Sequence, residues 1–129
     1  KIARPVLWEA FDARRELRDG LPEAEQRFVD NLVDGFMPAS RRIDGVNNEI
    51  AAVDPAAHYD LARIRARVLV VHARDDRLNP FEVAEKLANE IPDNEFIAFN
   101  RGGHLLLGHH DFIRSKIEDS LASDRDNID

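Results

Sequence analysis

Arg67-Val68-Leu69-Val70-Val71-His72-Ala73-Arg74-Asp75-Asp76 decides the fold. Four apolar residues, three of them β-branched, run unbroken between polar flanks. A strand with one wet face alternates, so this run predicts a strand covered on both faces of a parallel sheet. The residues after it predict a helix. Asn79 offers an N-cap, Pro80 the first helical position and Glu82 a capping-box partner, with Val83, Ala84, Leu87, Ala88 and Ile91 at helical spacing. Pro92-Asp93-Asn94 stops that helix. Glu95 to Phe99 reads as a second strand, and Ile113, Ile117 and Leu121 mark a last helix from about Asp111 to Ala122. Strand, helix, strand, helix in this span is a βαβα unit of an α/β fold, with parallel strands and a right-handed crossover. Two strands alone are marginal in water, so the sheet is expected to continue elsewhere.

Upstream the apolar spacing turns helical. Leu7, Phe11 and Leu17 define a weak face, and Ala24, Phe28, Val29, Leu32, Val33 and Phe36 a clear one, with Gly20 and Pro22 between them. Pro22 suits a first helical turn, and Glu23 and Glu25 lie where the helix dipole favours acids. Ile43, Val46, Ile50 and Val53 mark a third helix between Pro38 and Asp54-Pro55. The chain therefore divides into a helical region over 1–57, an α/β unit over 58–123 and a frayed tail over 124–129.

Composition narrows the function. Eighteen Lys+Arg against 25 Asp+Glu leave a net charge of -7 on 129 residues. Such a chain repels phosphate backbones and anionic lipid, so neither nucleic acid nor a membrane is an expected partner. The absence of Cys removes disulfides, thiolate metal sites and a Cys nucleophile, and fits a cytoplasmic location. No apolar stretch approaches the roughly 20 residues that span a bilayer. Lys1 stands where a start methionine would, which suggests a chain cut from something longer.

In open α/β sheets, ligands gather where loops leave the carboxyl ends of the strands. Two polar loops leave there: His72 to Pro80 after the first strand, and Asn100-Arg101-Gly102-Gly103-His104 after the second. Neighbouring strands lie about 4.8 Å apart, so a carboxylate on one loop can meet an imidazole on the other. Asp76 and His104 form the candidate acid-base pair. Gly102 and Gly103 let the backbone turn sharply before the imidazole. His104, His109, His110 and Asp111 fit no metal motif; His109 and His110 read as a helix start with Asp111 as cap. His72 reads as a strand-end packing residue, and Trp8 as core.

These residues resemble the C-terminal part of an α/β-hydrolase. The match is carried by Arg67 to Asp76 with Pro80 four positions on, by Ile91-Pro92, and by Gly102-Gly103-His104-Leu105, with Ala73 where the family usually has Gly. The resemblance implies Asp76 as the triad acid, with Asp75 as the alternative, and His104 as the triad histidine. It also implies that the helical region resembles the cap or lid of such enzymes. The expected activity is esterase-like, hydrolysis of an ester or related bond in a small molecule through a covalent intermediate, with no cofactor. The family's nucleophile stands on a Gly-x-Ser-x-Gly elbow, and none of Ser40, Ser115, Ser120 and Ser123 is so flanked. The nucleophile-bearing N-terminal lobe is thus expected outside this chain or in a second chain, with homo-oligomerisation open, and the isolated chain is expected to be inactive. The competing expectation is a non-catalytic binding or assembly module that pairs through its exposed sheet edge.

Overall fold

A computed structural model describes residues 4–54 and 57–125, with side chains as far as Ala122. Lys1, the Pro55 break, the Ser123 side chain and residues 126–129 of the expected tail lie outside them. Helices α1 (Arg4–Ala10), α2 (Arg15–Arg18), α3 (Glu23–Phe36) and α4 (Ile43–Ala52) precede strand β1 (Val68–Ala73), helix α5 (Phe81–Glu90), strand β2 (Asn94–Phe99) and helix α6 (His110–Arg125). The strands pair in parallel from Val68 opposite Asn94 to Ala73 opposite Phe99. Helices with a small parallel sheet are compatible with a partial α/β fold. Among the described residues no helix is long and apolar enough to cross a membrane.

The β1α5β2α6 order matches the expected one, but the covering of the sheet does not. Val68 to His72 are only half-buried, and Ala73 alone in β1 is fully enclosed. The unbroken apolar run predicted cover on both faces. Among the described residues only α5 packs broadly on the strands, through Phe81, Ala84 and Ala88. The α6 side contributes narrower contacts: Phe112 meets Phe99 edge-on and Lys116 Nζ bonds Glu95 Oε1 at 2.7 Å. The sheet has two strands among the described residues, so each keeps one bare edge.

Local chemistry explains the helix limits. Asn94 Nδ2 donates to the carbonyls of Ala88 and Ile91, both at 2.8 Å, closing the end of α5. At its start Pro80 takes the N-cap position with no side-chain cap bond, and helical geometry begins at Phe81. The expected Asn79 cap fails because Asn79 is drawn toward His104 and its own amide is held by Asp76. Pro22 likewise stands one place before the helix it was expected to open. Helix α6 begins at His110, so Asp111 lies in its first turn, paired with Arg114, and is not its cap. It extends to Arg125, so the first two residues of the expected tail are helical.

The weak first helix is in fact two short ones. Asp12 adopts a left-handed φ of 56°, its amide bonds the Glu9 carbonyl at 3.0 Å, and the next amide, on Ala13, bonds that of Trp8 at 2.7 Å. This is a Schellman-type stop with Asp in the place usually given to Gly. Past it, Ala13, Leu17, Leu21, Val29 and Leu107 form the buried cluster, with Trp8 and Leu105 packed on its flank. The core thus joins α1, α2 and α3 to the loop after β2, and burial of a Val such as Val29 contributes about 1.5–3 kcal/mol. Phe28 on α3 remains exposed, as do Ile43 and Ile50 on α4 and Val53 just past its end, and α4, which forms as expected, buries no residue.

Candidate active site

Parallel pairing brings the ends of β1 and β2 side by side, Ala73 opposite Phe99, and the two polar loops leave together from that edge. Asp76 Oδ2 and His104 Nδ1 are 3.1 Å apart. The other carboxylate oxygen, Oδ1, accepts the amides of Leu78 at 2.8 Å and Asn79 at 2.9 Å, an arrangement in which Asp folds its own loop. Burial pushes the Asp76 carboxyl up, but the Asn79 amide, the His104 imidazole and the Leu78 amide together outweigh it and hold it below the usual carboxylate range. Asp76 is therefore ionised at neutral pH. Its side chain is 4% exposed against 36% for His104, so the carboxylate is sheltered while the imidazole reaches solvent.

A buried carboxylate on Nδ1 places the imidazole proton there and leaves Nε2 as the basic nitrogen. Val71, His72, Ala73, Asp76, Asn79 and His104 border a cavity of about 240 Å³. His72 packs edge-on against Phe81, as a strand-end residue should, and its Nδ1 lies 2.9 Å from the Ala73 carbonyl. Its Nε2 also comes to 3.5 Å from Asp76 Oδ2, bringing a second imidazole to the same oxygen.

Asp75, the alternative acid, is engaged elsewhere. Its Oδ1 accepts the Gly103 amide at 2.9 Å and its Oδ2 meets Arg14 Nη2 at 2.8 Å. His109 stacks on Phe99 and its Nε2 lies 2.8 Å from the Arg101 carbonyl, whereas His110 Nε2 lies 2.8 Å from that of Leu105. Among the described residues no three His, Asp or Glu side chains gather as a metal cluster. Ser40 is in a 3₁₀ turn (Ala39–Arg41), Ser115 and Ser120 are on α6, and none borders the cavity.

Sequence reasoning missed two side chains that shape the site. Asp12 Oδ2 accepts the His104 amide at 3.0 Å and the Arg77 amide at 3.2 Å, touching both loops with one oxygen. Glu25, read as a dipole acid on α3, is buried and its Oε2 accepts the Gly108 amide at 2.6 Å. The approach of Asp12 also explains Gly103. At its φ of 60°, a Cβ would stand 2.7 Å from Asp12 Oδ2 and 2.8 Å from Leu17 Cδ1.

Asp76 and His104 thus meet on loops that leave the carboxyl ends of neighbouring parallel strands, where ligands gather in open α/β sheets. The chain is similar to the AB hydrolase superfamily protein YisY of Bacillus subtilis (strain 168), with 29% identity over 83 residues. That alignment covers 64% of this chain and 29% of the relative's length, and it supports the superfamily. No protein-family profile matches the chain, and no solved structure matches it.

Proposed function

We propose that this chain is the C-terminal part of an α/β-fold hydrolase, esterase-like, acting on an ester or related bond of a small molecule. One observation carries the reading: Asp76 and His104, on loops that leave adjacent parallel strands, meet at 3.1 Å through Oδ2 and Nδ1. His104 Nε2 takes the proton of a nucleophile and later activates the water that releases the acyl group. Asp76 fixes the ring and stabilises the imidazolium that forms. The nucleophile and the oxyanion donors come from outside these 129 residues: no serine is flanked as in Gly-x-Ser-x-Gly, and among the described side chains Ser40, Ser115 and Ser120 do not border the cavity. The helical region over 1–57 acts as the cap that shapes the substrate pocket.

Hydrolysis of p-nitrophenyl butyrate tests this on two samples. The isolated chain is expected to show no turnover above buffer. A polypeptide that joins it to a lobe bearing Gly-x-Ser-x-Gly, taken from the reading frame upstream of Lys1, is expected to turn over. There, His104→Ala and Asp76→Asn are expected to lower kcat by about 10³- to 10⁴-fold, as loss of a triad member does. Full activity in His104→Ala defeats the assignment. Activity of the isolated chain that is lost in His104→Ala defeats the missing nucleophile.

A further inference from the structure

Beyond the acid-base pair, two carboxylates and one guanidinium converge on the loops that carry it. Asp12 and Arg14 are 1% and 6% exposed, and both lie on the turn between α1 and α2, far in sequence from either loop. Arg14 Nε is 2.9 Å from Asp12 Oδ1, while its Nη2 reaches Asp75 Oδ2 at 2.8 Å and the Asp75 carbonyl at 3.0 Å. Each carboxylate then spends its other oxygen on the histidine loop: Asp75 on the Gly103 amide, Asp12 on the His104 amide.

We propose that Arg14 is a positioning residue: by pairing with Asp12 and Asp75 at once, it locks both loops in the register that keeps His104 against Asp76. The purpose of this lock rests on the hydrolase reading; its geometry does not. The Asp12 carboxylate is buried and the Asp75 carboxylate is partly buried, with its side chain 24% exposed, so removing the guanidinium leaves Asp12 above all as an uncompensated buried charge. A guanidinium serves both because its charge is spread over a rigid plane: Nη2 hydrogen-bonds Asp75, while Nε stands at ion-pair distance from Asp12 without an aligned hydrogen bond, a span that a lysine ammonium, a single point charge, does not reproduce. The exposed Glu16, 3.7 Å from Nη1, adds little by comparison. On this view the turn after α1 is a fixed brace for the catalytic loops, and the cap region is anchored at the very point where the imidazole hangs.

Amide hydrogen exchange and histidine ¹⁵N spectra of the 129-residue chain test the proposal. In the unaltered chain the Gly103 and His104 amides should be protected although they lie in a loop, and the His104 Nδ1 proton should resonate far downfield. Arg14→Met is expected to speed exchange at those two amides by about ten- to a hundredfold, the weight of one charge-assisted hydrogen bond, and to shift or erase the Nδ1 signal. Arg14→Lys is expected to behave alike, and carries the comparison if the methionine variant does not fold. The control is Arg18→Met, which removes a guanidinium stacked 3.7 Å over Trp8 in the same helical stretch. Matched for lost stability in denaturant, it should leave the two amides and the Nδ1 signal in place. Equal exchange in the Arg14 and Arg18 variants, or rapid exchange at Gly103 and His104 in the unaltered chain, overturns the proposal. Esterase assays of His104 variants bear on the hydrolase reading alone, so either idea can fail while the other stands.

Discussion

Gly103→Ala is the substitution most sharply defined by the geometry. The residue has φ of 60°, and a Cβ there would come within 2.7 Å of Asp12 Oδ2, 2.8 Å of Leu17 Cδ1 and 3.0 Å of the Asp12 carbonyl. Three costs combine. Left-handed backbone in an L-residue costs about 1–2 kcal/mol. Overpacking against Leu17 adds about 1–3 kcal/mol, and a displaced Asp12 gives up charge-assisted bonds worth about 1.5–3 kcal/mol each. Since these strains relax together, a net loss of about 3–4 kcal/mol is expected, a large part of the stability of an ordinary domain. Gly20→Ala is the matched reference, because Gly20 has φ of 84° with nothing within 4 Å of its Cβ position. It isolates the backbone cost, about 1–2 kcal/mol. Urea denaturation followed by circular dichroism gives both numbers. If the two variants lose equal stability, to within about 0.5 kcal/mol, the close packing of Asp12 against the histidine loop is refuted.

Other consequences are simpler to state. The Asp76 carboxyl titrates below its ordinary range in the folded chain, so its stabilisation is present above the unfolded carboxylate value and is lost as pH falls through the folded one. The stability gap between the unaltered chain and Asp76→Asn, measured by denaturation at decreasing pH, should therefore close in acid; a gap that widens contradicts the sign. Glu25→Ala should cost about 1–3 kcal/mol in thermal unfolding by stranding the Gly108 amide, while Glu25→Gln, which keeps an acceptor, should cost less. Equal losses in the two would show that the bond to Gly108 is not what Glu25 contributes.

The meeting of Asp76 and His104 was legible because each lies in a short local pattern at a strand end, and parallel pairing does the rest. Strand order and the helix after β1 were legible for the same reason: their signals are local runs and periods. The bracing residues were not. Asp12 and Arg14 sit in a stretch whose apolar spacing suggested one continuous weak helix, and only the left-handed turn at Asp12 reveals that the chain breaks there and points inward. An Asp just past a helix end is a recognisable stop signal, but nothing local announces which amide its carboxylate will meet. The cover of β1 was misjudged because periodicity reports how apolar a strand is, and not whether its second face finds a partner. The same limit holds for α4, where four apolar residues at helical spacing promised a buried face that the fold leaves open.

The bond from the His104 amide to Asp12 spans 92 positions, and those from Arg77 and Arg14 to their partners span 65 and 61. Closing such long loops costs more chain entropy than forming the local helices or the β1α5β2 crossover unit. During synthesis the segment carrying Asp12 therefore emerges long before the histidine it supports, and waits for the rest of the polypeptide. The bond that seats the His104 amide on Asp12 thus closes the widest of these three loops.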